Sequence, residues 1–444
     1  MKNVALYNLG CKVNSYEVDV MQQNLQANGF LIVPFDEIAD IYIINTCTIT
    51  NTADLKSRKI IRRARHKNPQ AIIVAVGCLV QVDEESLKEI SIDLAIGNNR
   101  KNDLIPLLNE YIGNRQGSNR KAVIDLDNEI AYEEMALKEV KEHTRAFVKI
   151  QDGCNQFCSY CIIPYARGRA RSREAEAVIS ELTELVNKGC REVVLTGINL
   201  SSYGNGADDL LNLIEKAAEI TELSRIRLGS LEPGIISDEF VKRIVSLEKV
   251  CPHFHLSLQS GCDTTLKRMN RHYQTADYYE KVKKIRSAYK EKYGEDYQPA
   301  ITTDIIVGFP GETEAEFIET ENFIRQVSFY EMHVFPYSKR KGTAAAIMPE
   351  QVTAKVKKER SNRLIMLDKL MSDEYRNAFI GRNVSVIPED MKVIADKKYW
   401  FGYTAEYIRT AILDNKSDNQ VFHSGMLVNT KISGHLTEGV MTCF

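Results

Sequence analysis

The sequence predicts an α/β protein in three parts: an N-terminal doubly wound α/β domain, a central partial barrel of six βα units, and a small C-terminal antiparallel β-barrel. Three observations predict it. Short apolar runs alternate with helical periodicity over residues 4–96. The same alternation resumes at 147 and continues for six units to 335, and from 383 onward only short β-type runs separated by turn residues remain. At 444 residues the chain exceeds what one hydrophobic core normally organises, so the breaks in rhythm are read as boundaries. They divide the chain into 1–112, a linker over 113–139, 140–375 and 376–444.

In the first part, strand-like runs at 4–9, 30–33, 41–45, 72–76 and 94–96 are separated by helical stretches such as 16–26 and 55–66. Cys11, Cys47 and Cys78 each stand just beyond the end of one of these strands. Ligands of an open α/β sheet bind past the carboxyl ends of its strands, so three thiols far apart in sequence are expected to meet at one edge. The alternative is three unrelated buried thiols, because free cysteine is a common core residue; repetition of one placement favours a shared centre. Helix 55–66 carries Lys56, Arg58, Lys59, Arg62, Arg63 and Arg65, either a solvated face or a set of phosphate contacts. Residues 109–144 lose the apolar rhythm and read as a connection between domains.

The second part opens with Cys154, Cys158 and Cys161, spaced by three and then two residues directly after a strand-like run. Soft sulfur ligands suit an iron-sulfur cluster or zinc, and three of them leave one metal position open to chemistry. A zinc knuckle lacks its fourth ligand here, since Cys190 lies far downstream and the nearest histidine is His253. Further strand candidates at 192–195, 225–228, 253–258, 301–307 and 331–335 complete six units, which places the active site at their carboxyl ends. Those ends carry Thr196, Gly197 and Asn199, then Ser230 and Glu232, then Gln259, and finally Gly308. Each reads singly as turn chemistry; together they suit close approach of a ligand, with Glu232 able to meet a positive group. Arg167, Arg169, Arg171 and Arg173 alternate after the cysteine loop, a candidate clamp for phosphate or carboxylate, with some of the four expected in structural ion pairs. Cys190, Cys251, Cys262 and Cys443 have no partner at ligand spacing and are read as packing residues, with Cys262, close to a strand end, left open.

Composition limits the class. With 44% apolar and 27% charged residues and a net charge of −2, the chain reads as a soluble enzyme without a cationic coat for nonspecific nucleic-acid binding. Ten cysteines are too dilute for a disulfide scaffold, no leader-like segment opens the sequence, and no apolar run reaches the roughly 20 residues of a membrane span. The expectation is a cytoplasmic, reduced protein with no membrane partner. Runs at 383–387, 399–408, 426–432 and 440–444 predict the C-terminal barrel, an architecture often used for oligonucleotides. Trp400, Phe401, Tyr403 and Tyr407 are candidate base-stacking residues, alternate ones belonging to the core.

The loop from Cys154 to Cys161 resembles that of the radical S-adenosylmethionine superfamily. The segment Gly402-Tyr403-Thr404-Ala405-Glu406-Tyr407-Ile408 resembles the signature of the TRAM domain, an RNA-binding module. The order of the three parts resembles the methylthiotransferase family. That resemblance implies two 4Fe-4S clusters, one on Cys154, Cys158 and Cys161 that cleaves S-adenosylmethionine, the other on Cys11, Cys47 and Cys78 that supplies sulfur. It also implies that Tyr160, Ile306 and Gly308 lie by the adenine of S-adenosylmethionine and that the segment at Gly197 meets its amino group. The sequence departs from the common superfamily pattern at Asp304, where glycine is frequent, and at Gly311, where an acid is frequent. Leu9-Gly10-Cys11-Lys12-Val13-Asn14 looks like the branch that acts on threonylcarbamoyladenosine beside the tRNA anticodon. The isopentenyladenosine branch typically has Gln-Met-Asn after the first cysteine, and the ribosomal-protein branch Pro-Lys-Asn. Implied partners are the anticodon stem-loop of tRNA, an electron donor and a sulfur source. The rival from another class is a noncatalytic RNA-binding iron-sulfur protein.

Overall fold

Six parallel strands build the N-terminal sheet in the spatial order Leu31–Ile32, Asn3–Asn8, Ile41–Thr46, Ile72–Gly77, Leu94–Ile96 and Lys121–Ala122. This is a computed structural model, which describes residues 2–83, 90, 92–114, 121–126, 131–140, 144–204, 206–414 and 422–443. The two central strands, Ile41–Thr46 and Ile72–Gly77, are buried at every position, as parallel strands covered on both faces must be. Lys121–Ala122 comes from the stretch read as a connection; two residues are too few to show any period.

The central domain is a curved sheet of six parallel strands: Arg145–Lys149, Glu192–Thr196, Arg225–Leu228 continuing as Ser230–Leu231, His253–Leu256, Ala300–Val307 and Glu331–Pro336. Its first and last strands do not pair with each other, and the N-terminal domain bridges the gap. Helix Lys12–Ala27 packs on Arg145–Lys149. Beyond the last strand, Asn51 N donates to Ser338 Oγ at 2.9 Å, and Arg340 bonds Asn51 Oδ1 at 2.6 Å and Asp54 Oδ2 at 3.1 Å. The last strand turns Met332 and Val334 outward into the core beneath helix Ala354–Asn377. Its other face carries His333 and Phe335, and Phe335 is 42% exposed. Inward side chains that stay exposed mean a hollow lumen, unlike a small barrel filled by its own side chains.

Five strands, Asn383–Ile394, Lys397–Thr404, Arg409–Leu413, Val428–Thr437 and Val440–Cys443, close the C-terminal barrel. Four pairings are antiparallel, and Arg409–Leu413 runs parallel to Val440–Cys443. The run at 399–408, read as one strand, ends at Thr404 and turns through Tyr407, whose φ is +68°. That turn docks on the starting ends of the central strands. Arg227 donates to the carbonyls of Thr404 (2.6 Å) and Ala405 (2.9 Å), and Arg225 to that of Tyr403 (2.9 Å). Tyr407 stacks between His253 and Tyr403 at 4.8 Å from each. Tyr403 and Tyr407 are therefore occupied by the interface, Phe401 is buried and Trp400 packs on the barrel core, so these four do not form an open base-stacking platform. Strand alternation separates two faces but does not say that one of them meets another domain.

Glu192 holds this junction, 2.7 Å from Arg227, 3.3 Å from Arg225 and 3.5 Å from Arg145. Burial would raise its carboxyl, yet Arg227, Arg145 and Arg225 outweigh burial and hold it at about 2. A depressed carboxylate contributes stability that is fully present above its unfolded pKa of about 4.3 and is lost as pH falls through about 2. Glu192→Gln is expected to cost about 2–3 kcal/mol at pH 7. Thermal unfolding at stepped pH checks this: the gap between wild type and variant should narrow below about pH 4.

Candidate active site at the domain junction

Gln151–Asp152 pairs antiparallel with Arg171–Ser172 and so frames the first cysteine loop. Gly153 has φ +71°, and a Cβ there would lie 1.9 Å from the carbonyl of Arg169, so only glycine fits. Cys154 N donates to Gly168 O at 3.1 Å, and Ser159 bonds Met269 O (3.0 Å) and Arg268 O (2.8 Å). Burial, then the neighbouring Cys158, pushes the Cys161 thiol up to about 12; burial also raises Cys154, with Cys158 adding to it. Two thiols raised in this way beside a third coexist as thiolates only around a cationic centre, and this donor set fits an iron-sulfur cluster.

Cys11, Cys47 and Cys78 follow the adjacent strands Asn3–Asn8, Ile41–Thr46 and Ile72–Gly77. Gly10, at φ +110°, passes so close that a Cβ would sit 3.1 Å from Cys47 Sγ. Burial, then Cys78, pushes Cys47 up to about 12, and burial raises Cys11, opposed by Arg167. The donor set fits a cluster for the same reason as the first. Among the described residues no three His, Cys, Asp or Glu side chains close around a single ion, whereas a cluster binds each thiolate to a different iron.

The two sets of thiols are joined through buried side chains. Asn98 donates from Nδ2 to Cys78 Sγ at 3.4 Å and to Ala166 O, just past the Cys161 turn, at 2.7 Å. Beside it Arg167, 0% exposed, bonds Glu17 at 3.0 and 3.2 Å, both oxygens of Asp152 at 3.0 Å and Asn14 Oδ1 at 2.6 Å. Lys149 reaches Glu17 at 2.9 Å and Asp152 at 2.7 Å, and Lys101 reaches Glu17 at 3.3 Å. Burial would raise both carboxyls, but Arg167 foremost among the cations holds them well below the usual range. With Arg171 3.9 Å from Asp152, four cations face two carboxylates, an excess of positive charge beside the thiolates.

The arginine run is thus divided. Arg167 is buried in the network. Arg171 is buried, donating to Arg169 O at 3.2 Å, and Arg173 bonds Glu134 Oε1 at 2.6 Å and Glu181. Only Arg169 reaches the surface, lying 4.5 Å over the ring of Phe157, which meets Tyr165 edge-on. A four-arginine clamp does not form; sequence alternation registers charge but not the acids that fold back to meet it.

The strand-end residues gather on the side of the first loop. Asn199 N donates to Gln151 Oε1 at 2.8 Å, and a Cβ on Gly197 would strike the same oxygen at 2.8 Å. Thr196 ends its strand buried. Ser230 starts a short strand, and Glu232 N is held by Ser201 Oγ at 2.8 Å. Gln259, at φ +70°, accepts from Ile306 N at 2.9 Å. Tyr160 packs edge-on to Phe309 beside Ile306. Gly308 N donates to Glu312 Oε2 at 2.6 Å, a turn contact. Sequence reasoning passed over Arg271, which donates to Cys158 Sγ at 3.2 Å and also bonds Glu232. It lies after a left-handed Asn270 beyond helix Asp263–Arg268, where a cation reads as an ordinary helix-end residue. On helix Asn51–Lys67, Arg58, Arg63 and Arg65 pair with acids while Lys56, Lys59 and Arg62 stay exposed. Cys190, Cys251, Cys262 and Cys443 are buried.

Comparison with known proteins agrees with this geometry. Residues 148–324 match the radical SAM superfamily model and residues 3–97 that of an uncharacterized protein family, UPF0004. The chain is 40% identical to the threonylcarbamoyladenosine tRNA methylthiotransferase MtaB of Bacillus subtilis over 92% of its length and 90% of the relative's. It is 36% identical to the tRNA-2-methylthio-N(6)-dimethylallyladenosine synthase of Pelotomaculum thermopropionicum over 88% of each. In fold it is similar to the radical S-adenosylmethionine methyltransferase TsrM of Kitasatospora setae, solved with cobalamin and a 4Fe-4S cluster (TM-score 0.57, 14% identity, 78% of this chain and 74% of that one). Among the described residues no helix is long and apolar enough to cross a membrane. The chain belongs to the radical S-adenosylmethionine methylthiotransferases.

Proposed function

We propose that the protein converts threonylcarbamoyladenosine in the anticodon stem-loop of tRNA to its 2-methylthio derivative. The observation that carries this reading is the junction itself: two three-thiol sets, joined by Asn98 and the Arg167 network, beside one hollow barrel. When bound, a cluster on Cys154, Cys158 and Cys161 supplies one-electron cleavage of S-adenosylmethionine, and a second on Cys11, Cys47 and Cys78 supplies the sulfur to be inserted. Arg271 donates to Cys158 Sγ and bonds Glu232, whose carboxylate would meet the ligand's amino group. Gly197 admits the Gln151 side chain, which accepts from Asn199 N, and Tyr160 with Ile306 offers an apolar face to the ligand's adenine. The hollow keeps water away from the reacting carbon once RNA covers its mouth. An electron donor and a source of replacement sulfur complete the cycle, and a cytoplasmic setting would supply both.

The test is nucleoside mass analysis after incubating reconstituted protein with tRNA that bears the threonylcarbamoyl group. A product heavier by one methylthio group in place of hydrogen is expected. Turnover only on isopentenyladenosine tRNA, or only on a ribosomal-protein aspartate, would overturn the substrate; no S-adenosylmethionine cleavage at all would leave a noncatalytic RNA-binding protein.

A further inference from the structure

Two exposed rings belong to the first cysteine loop and the short helix that follows it: Phe157, one residue before Cys158, and Tyr165, four after Cys161. Their centroids are 6.4 Å apart at an interplanar angle of 81°, and the Arg169 guanidinium lies 4.5 Å over Phe157. Among the described residues the exposed Phe and Tyr rings are these two, Tyr293 and Phe335, so two of the four meet at one spot. The backbone bends to present them. Phe157 has φ +48°, a left-handed conformation unusual for a bulky side chain, and Asn270 Nδ2 holds it by donating to Phe157 O at 3.0 Å. Strain of this kind gathers at ligand sites. Unlike Arg167 and Arg173, Arg169 has no hydrogen-bond or ion-pair partner for its guanidinium among the described residues.

The position of this surface decides what it can meet. Four residues of chain span at most about 14 Å, so both rings lie within that distance of a ligand cysteine. Ala166, next to Tyr165, is tied through Asn98 to Cys78 of the other set. A nucleotide whose base reaches between the two sets therefore brings its neighbours alongside. An exposed flat ring takes the face of a base, and a free guanidinium beside it takes a phosphate of the same strand. The C-terminal aromatics expected to stack bases are spent on the domain interface, whereas this pair is open. An acidic protein would find in this trio a single cation, while one nucleotide needs no more than one.

We propose that Tyr165 stacks a base adjacent to the target adenosine in the substrate RNA, with Phe157 setting the angle of that ring by its edge contact and carrying Arg169 to the phosphate of the same nucleotide. Holding the neighbour outside leaves the target base free to enter the hollow. This rests on the RNA substrate read above and names the residues that position it. Stacking tolerates any base, so the surface orients the strand and the choice of modified base is made elsewhere.

The experiment measures binding of reconstituted full-length protein to anticodon stem-loop RNA that carries all its bases, or lacks the base just before or just after the target adenosine, for wild type, Tyr165→Phe and Tyr165→Leu. Wild type is expected to bind the complete RNA about tenfold more tightly than one of the two abasic forms. Tyr165→Phe should keep that ratio, and Tyr165→Leu, apolar but without a flat face, should bind all three alike. Because the readout is a ratio within one protein, a general loss of affinity does not mimic it. Arg169→Gln is expected to lower the slope of log Kd against log salt by about one while keeping the base preference; an unchanged slope removes the phosphate contact. A Tyr165→Leu protein that keeps the wild-type ratio, or a wild type indifferent to both missing bases, overturns the proposal. So does a Tyr165→Leu defect confined to reduction of the cluster by a protein electron donor, which would assign the surface to that donor. A wild type that shows the base preference yet leaves threonylcarbamoyladenosine unmodified overturns the substrate reading and leaves this surface standing.

Discussion

With Cys154→Ala, Cys158→Ala and Cys161→Ala combined, reconstituted protein forms no deoxyadenosine from S-adenosylmethionine under dithionite and retains about half the wild-type iron. The loss is complete rather than graded because the three thiols are held as one unit: Gly153 and Gly168 fix the loop's entrance, Met269 and Arg268 its middle, and Arg271 the Cys158 sulfur. Cys11→Ala, Cys47→Ala or Cys78→Ala gives the complementary phenotype. Those thiols follow the strands of the neighbouring sheet and ligate no part of the first loop, to which Asn98 links them, so S-adenosylmethionine is still cleaved while no methylthio product forms. Deoxyadenosine and product are counted by liquid chromatography in the same reaction. Cleavage by the triple variant, or methylthiolation by any N-terminal variant, would refute the division of labour.

Arg167→Leu is expected to destabilise the folded protein by about 3–5 kcal/mol, because it leaves Glu17 and Asp152 buried without their shared guanidinium. Arg167→Lys should cost less but not nothing: one ammonium keeps the charge, yet it cannot reach two carboxylates and Asn14 with a planar fork. Urea unfolding of the reconstituted proteins measures both. The pH profile has a definite sign, since carboxylates held below their ordinary range contribute stability that is present at neutral pH and drains away in acid. An Arg167→Leu protein as stable as wild type at pH 7 would mean that the two lysines suffice.

The placement of Cys11, Cys47 and Cys78 just past strand ends was legible because strand pattern and spacing are local properties of the chain. The alternation of apolar runs revealed five strands of the first sheet and all six of the barrel for the same reason. Some of the four arginines were expected in ion pairs, but which ones was not legible because depth is not local: Glu17, which meets Arg167, lies 150 residues earlier, and Glu181, which meets Arg173, sits on the following helix. The aromatics of the C-terminal barrel failed likewise, since nothing in their alternation announces His253 as a stacking partner.

The C-terminal barrel docks at the starting ends of the central strands, while the cysteine loop lies at their far ends. The eight-residue strand Ala300–Val307 measures roughly 25 Å at about 3.3 Å per residue. A nucleic acid held at both ends must follow the outer wall for that distance, about seven steps of about 3.4 Å. Any contact at the lower end would be equal before and during the reaction, so it would tighten capture without speeding the chemical step. What it would add is measurement: a fixed ruler that decides which nucleotide of the strand arrives at the mouth of the hollow.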